Sequence, residues 1–105
     1  AKNYGITTGE PVAMALRKCP ELVIVKSDFV LYIKSSRAFK EISASYAPVM
    51  ESFYIDEVFL DMTGTSLIYP DPIKTAHEIK DKIRDDLGFT VNVGISTNKL
   101  LAKMA

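Results

Sequence analysis

The sequence predicts an α+β fold: a ferredoxin-like βαββαβ unit whose first strand is missing, preceded by a short helical segment. Three features carry this. Residues 28–46 and 71–87 have apolar side chains at helical spacing, residues 49–62 form a dense apolar stretch, and residues 89–95 alternate like a half-buried strand. From Asp28 onward the order is helix, strand, strand, helix, strand, which is the ferredoxin-like order from its second element.

Gly5, Gly9 and Pro11 punctuate the opening, and Pro11 stands where a helix begins, followed by Val12 to Leu16 and closed by Pro20. Leu22-Val23-Ile24-Val25 is β-prone and reads as one short strand. Phe29, Tyr32, Ile33, Ser36, Phe39, Ile42, Ser43 and Tyr46 line one helical face until Pro48 forbids continuation. Val49 to Met62 reads as two strands folded back near Ile55-Asp56-Glu57, and Thr63-Gly64-Thr65 ends the second. Asp71-Pro72 is a strong helix start, with Ile73, Ala76, Ile79, Ile83 and Leu87 on one face and Gly88 as the stop. Phe89 to Ile95 gives the clearest strand alternation in the chain, and a helix starts near Asn98.

A length of 105 residues suits a single packed unit. Equal numbers of acidic and basic residues, 13 of each, exclude the strongly basic balance of a self-sufficient DNA-binding domain. The single cysteine, Cys19, has no partner for an internal disulfide and no neighbours at zinc-site spacing, which fits a reduced, cytoplasmic setting. No apolar run reaches a membrane span, so the reading is a soluble protein with no membrane partner. The opening lacks a start methionine and the last helix reads as cut short, so a fragment of something longer is expected.

Asp56-Glu57 lies within an otherwise apolar hairpin, where paired carboxylates need compensation and a divalent metal is the usual one. Acidic neighbours alone prove little, since Asp85-Asp86 is another such pair. Adjacent residues on a straight strand face opposite ways, so a shared metal requires a turn or bulge at this point. Lys99 and Lys103, four apart on one helical face, suit a backbone phosphate of DNA or plain solvated surface. His77 is expected exposed and structural, and Cys19 a small packed side chain.

Tyr54-Ile55-Asp56-Glu57-Val58-Phe59-Leu60-Asp61 resembles the Ser-Ile-Asp-Glu-x-x-x-Asp motif of Y-family DNA polymerases, the DNA polymerase IV and UmuC-like group. Residues 93–105, beginning Val93-Gly94-Ile95-Ser96, are similar to that family's Val-Gly-Ile-Ser-x-Asn-Lys-x-x-Ala-Lys block. The opening, Ala1-Lys2 through Gly5-Ile6, Gly9 and Pro11 to Cys19-Pro20, resembles its fingers segment. The resemblance implies a partial fingers segment over residues 1–26 and a polymerase palm, incomplete at both ends, over 27–105. It further implies translesion synthesis by a two-metal mechanism, with Mg²⁺ (or Mn²⁺) held by Asp56 and Glu57 and deoxynucleoside triphosphates added to primed template DNA. The family's third metal-binding aspartate lies on the absent first strand, and Asp61 is not a direct ligand. Two departures stand out. Tyr54 replaces the usual serine, and Lys2 replaces an arginine that contacts the triphosphate, which removes the bidentate fork.

A palm-type nucleotide cyclase shares the metal chemistry, but the Asn98-Lys99 block and the fingers-like opening favour polymerase. Intact Asp56 and Glu57 argue against a non-catalytic module that only binds DNA or a partner. A sliding clamp would be reached through other segments, and the chain alone is expected to be inactive. With sheet order 4-1-3-2 the missing strand would be central. Closure of Phe89–Ile95 onto Glu57–Met62, insertion of Leu22–Val25, or pairing between copies is therefore expected, the last being favoured.

Overall fold

The computed structural model describes all 105 residues. A 3₁₀ turn, Lys2–Tyr4, opens the chain, followed by α1 (Val12–Lys18), α2 (Phe29–Ala44), β1 (Val49–Phe53), β2 (Glu57–Asp61), α3 (Pro72–Leu87) and α4 (Lys99–Met104). The helix boundaries follow the sequence signals closely. Asp28 caps α2 by accepting from the Leu31 amide, and Asp71 caps α3 by accepting from Ile73 and Lys74, with Pro72 at the first helical position. Gly88 ends α3 in the left-handed conformation, which costs glycine nothing.

The sheet has only two strands, paired antiparallel from Val49 opposite Asp61 to Phe53 opposite Glu57. Its core face presents Val58 and Leu60 to a nucleus of Phe39 from α2 and Ile79 and Ile83 from α3. Helix α2 packs on α3 and on both strands, so its C-terminal half organises the interior. Phe39 and Ser43 are buried there, whereas Phe29, Tyr32 and Ile33 at the other end of the expected face are exposed. Ile73 likewise faces outward, and Thr75 takes an inner position on α3.

Two expected strands do not form. Leu22–Val25 has no neighbour, and Val23 and Val25 are more than four-fifths exposed. Phe89–Ile95 keeps its alternation, since Phe89 and Val91 pack on the core while Thr90 and Asn92 face outward. It nevertheless makes no backbone hydrogen bond. A strand is defined by its ladder, and an alternating pattern without an adjacent partner leaves extended chain. Neither closure onto β2 nor insertion of Leu22–Val25 occurs, so the outer edge of β2 is open.

Only seven residues are buried, and the radius of gyration is 17.6 Å. A compact chain of this size has a radius near about 13 Å. The fold therefore leaves much apolar surface without a partner. No helix is long and apolar enough to cross a membrane.

Candidate metal centre and its lysine latch

The hairpin reverses over Tyr54-Ile55-Asp56, one residue earlier than the sequence predicts, and Glu57 is the first residue of β2. Tyr54 has φ 59°, the only positive φ in the chain outside glycine. Such a conformation costs a non-glycine residue roughly 1–2 kcal/mol. Two side chains of α2 hold it. Lys40 Nζ donates to the Tyr54 carbonyl at 2.7 Å, and the Ser36 hydroxyl donates to the Ile55 carbonyl. Ser36 and Lys40 are four apart, so both project from one face of α2 toward the turn.

Asp56 is consequently exposed at the tip, while Glu57 sits at the mouth of the hairpin with its side chain about two-fifths exposed. Asp56 belongs to the turn and Glu57 to the strand, so the two are not successive residues of one straight strand. Their oxygen donors are of the type Mg²⁺ takes, and Mg²⁺ commonly uses one or two carboxylates completed by water and substrate phosphates. No group of three or more potential ligands exists in the chain, so these residues fit part of a coordination sphere and no more.

The face of the hairpin opposite the core carries Glu51 and Phe53 on β1 and Glu57 and Phe59 on β2. Glu51 lies opposite Phe59, and Phe53 opposite Glu57. Two lysines of α4 reach this face. Lys99 Nζ reaches Glu51 Oε1 at 2.6 Å and lies 5.1 Å from the centre of the Phe59 ring. Lys103 Nζ reaches Glu57 Oε2 at 2.6 Å and lies 4.6 Å from the centre of the Phe53 ring. Each lysine thus engages one cross-strand pair, a carboxylate and an aromatic face. The spacing matches because four helical residues rise about 6 Å and two strand residues about 6.8 Å.

The start of α4 is fixed by Asn98, whose side chain accepts from Leu101 N at 2.9 Å. Its other end lies against Gly94, where an added Cβ would fall 2.0 Å from the Ala102 carbonyl oxygen. Only glycine permits that approach.

The structure brings Asp56, Glu57, Lys99 and Lys103 to one hairpin. Lys2 is exposed in the opening 3₁₀ turn and makes no ion pair with that hairpin. Asp61 accepts from the amide of Thr63 at 3.0 Å and from its hydroxyl at 2.6 Å, and these bonds hold its carboxyl below the ordinary range. It therefore ends the strand and does not join Asp56 and Glu57. His77 is exposed and Cys19 is buried and free. Sequence reading missed the supports Ser36 and Lys40 and the acceptors Glu51, Phe53 and Phe59. The signal for the first pair was polar side chains four apart on the inner side of α2. For the others it was the match of i, i+4 lysines to i, i+2 positions on a strand.

The impB/mucB/samB family profile matches residues 1–105. DNA polymerase IV of Acetivibrio thermocellus is 44% identical over 104 residues, 99% of this chain and 26% of that protein. DNA polymerase IV of Clostridium acetobutylicum is 45% identical over 105 residues, all of this chain and 26% of that protein. The chain thus spans about a quarter of the length of these relatives. The crystal structure of DinB from Sulfolobus solfataricus superposes with a TM-score of 0.88 at 29% identity, covering 98% of this chain and 30% of that one. The insertion ternary complex of Dbh DNA polymerase gives the same TM-score, identity and coverage. The chain belongs to the impB/mucB/samB family, the Y-family group that includes DNA polymerase IV.

Proposed function

We propose that this chain is the carboxylate-bearing part of a DNA-directed DNA polymerase of the lesion-bypass type. The reaction is nucleotide transfer from a deoxynucleoside triphosphate to a primer 3′-hydroxyl on template DNA. The observation that carries this reading is the presentation of Asp56 and Glu57 together at a turn secured by α2, in a family whose relatives include DNA polymerase IV. A solved relative in an insertion ternary complex supports the substrate class.

Residues 27–105 are the palm, a ferredoxin-like sheet in which Phe89–Ile95 follows a strand path without its ladder. Residues 1–26 are part of the fingers, and α1 has no extensive contact with α2, α3 or the hairpin, which supports that division. Asp56 and Glu57 would hold the two Mg²⁺ ions together with ligands outside this chain. When bound, the metal supplies charge neutralisation at the triphosphate and acidifies the attacking hydroxyl. The protein's own part is positional. Ser36 and Lys40 fix the turn carbonyls, which sets the direction of Asp56, and the Lys103 ion pair orients Glu57. Lys2 serves the triphosphate as a point charge.

In the complete protein, Asp56→Ala and Glu57→Ala should each lower template-directed incorporation by orders of magnitude, with thermal melting close to wild type because both side chains are solvent-accessible. Primer extension measures the first and circular dichroism the second. Wild-type extension by both variants would remove the assignment.

A further inference from the structure

We infer that Lys103 is the resident counterion of Glu57, an ammonium that orients this carboxylate until a divalent cation displaces it. The inference rests on the metal-binding reading of Glu57 given above. Three observations lead to it. First, Lys103 is the only cation paired with Glu57, at 2.6 Å, so a metal entering at that oxygen competes with the ammonium. Second, both side chains are close to half exposed, 46% for Lys103 and 42% for Glu57. An ion pair in that setting contributes little and exchanges readily, unlike a buried pair. Third, α4 does not depend on this contact. The Asn98 cap forms the start of the helix and the Gly94 approach sets its position, neither involving Lys103. Lys103 can therefore swing away while its backbone stays in place.

The two lysines then differ in role although they look alike. Lys99 pairs with Glu51, which lies on β1 away from the turn, so exchange of that pair leaves Glu57 untouched. Lys103 pairs with the carboxylate beside Asp56 and acts as the exchangeable one. Its displacement also frees an ammonium next to the site, its ring contact with Phe53 being short of a hydrogen bond. Lys103 is a positioning residue here, acting through Glu57.

The test is Mn²⁺ binding to the complete protein, followed by the electron paramagnetic resonance of free Mn²⁺, without DNA or nucleotide. About 0.5 M salt shortens the screening length to roughly 4 Å, which suppresses the general effect of removing any nearby positive charge. Lys103→Gln should bind Mn²⁺ about two- to fivefold more tightly, the size of an exposed ion pair's competition. Lys99→Gln and Lys103→Arg should match wild type, the first because its pair is not at the site, the second because the competing charge is retained. An unchanged affinity in Lys103→Gln, while Glu57→Gln weakens binding, would overturn the exchange and leave the metal assignment standing. Equal tightening in Lys99→Gln would overturn it as well, by reducing the effect to bulk charge. Unchanged binding in both Asp56→Asn and Glu57→Gln would remove the metal site itself and the exchange with it.

Discussion

Substituting Gly94 by alanine should damage the site from a distance, and the coordinates set the size of the effect. The new Cβ would stand 2.0 Å from the Ala102 carbonyl oxygen, 3.1 Å from its carbonyl carbon and 3.4 Å from the Ala105 Cβ. Ordinary contact between such atoms needs about 3.4 Å or more, so α4 must retreat by more than about 1 Å. The obstacle is helix backbone and cannot be relieved by a rotamer change. Overpacking of this kind costs roughly 1–3 kcal/mol. A retreat of that size also exceeds the slack in the 2.6 Å contacts of Lys99 and Lys103 with the hairpin, so both weaken together. Thermal melting of the complete protein should fall, and amide exchange should rise in 99–104 while 72–87 keeps its protection. Gly9→Ala provides the contrast. At φ 79° with nothing within 4 Å of the added methyl, it carries backbone strain alone and should leave exchange in α4 unchanged. Wild-type melting and exchange in Gly94→Ala would refute the close-approach argument.

Two further predictions concern stability and association. Burial, then the negative charges of Glu78, Tyr69 and Asp86, raise the Tyr46 phenol above its ordinary value of 10.0. A group whose proton is held more tightly in the folded state contributes stability that is complete below its unfolded pKa and lost as pH rises through the folded one. Alkaline melting series should therefore steepen above about pH 10 in wild type and flatten in Tyr46→Phe; parallel curves would contradict this. The isolated 105-residue chain should self-associate, since β2 has an open edge and Phe89–Ile95 has no ladder. Sedimentation should show a concentration-dependent dimer with protected amides in 89–95, and a monomer at high concentration with unprotected amides would count against pairing between copies.

Local signals were legible in the sequence wherever the determinant is itself local. Asp71 caps the helix it was read to cap, Gly88 stops α3, and Asp28, read as the first residue of its helix, is the cap of α2. The hairpin was legible from its apolar density, but its turn was displaced by one residue because Tyr54, a poor residue for positive φ, sits where a glycine or asparagine would have marked it. What failed was non-local. Leu22–Val25 and Phe89–Ile95 have strand composition, yet a ladder needs a partner that no property of the segment supplies. The same holds for the site. Asp56 and Glu57 stood out by their apolar flanks, whereas Ser36 and Lys40 matter only because α2 crosses behind the turn. Lys99 and Lys103 were read as facing a phosphate or solvent, and their carboxylate partners lie 48 and 46 residues away in the chain.

Those pairings bear on how the chain meets nucleic acid. Thirteen basic residues balance thirteen acidic ones, and Lys18, Lys82, Arg84, Lys99 and Lys103 are engaged with acids of the chain itself. Affinity for a duplex grows with the number of phosphates neutralised, and lysines already paired contribute only after their carboxylates find another cation. On the proposed reading that other cation at Glu57 is the divalent metal, and release of Lys103 and arrival of metal would be one event. Free positive charge beside the site would then increase only when the proposed metal-binding carboxylates are loaded. Phosphate binding by this part of the protein should accordingly depend on metal more strongly than charge neutralisation at the triphosphate alone would require. Lys99, held to Glu51 away from the carboxylate pair, should show no such dependence.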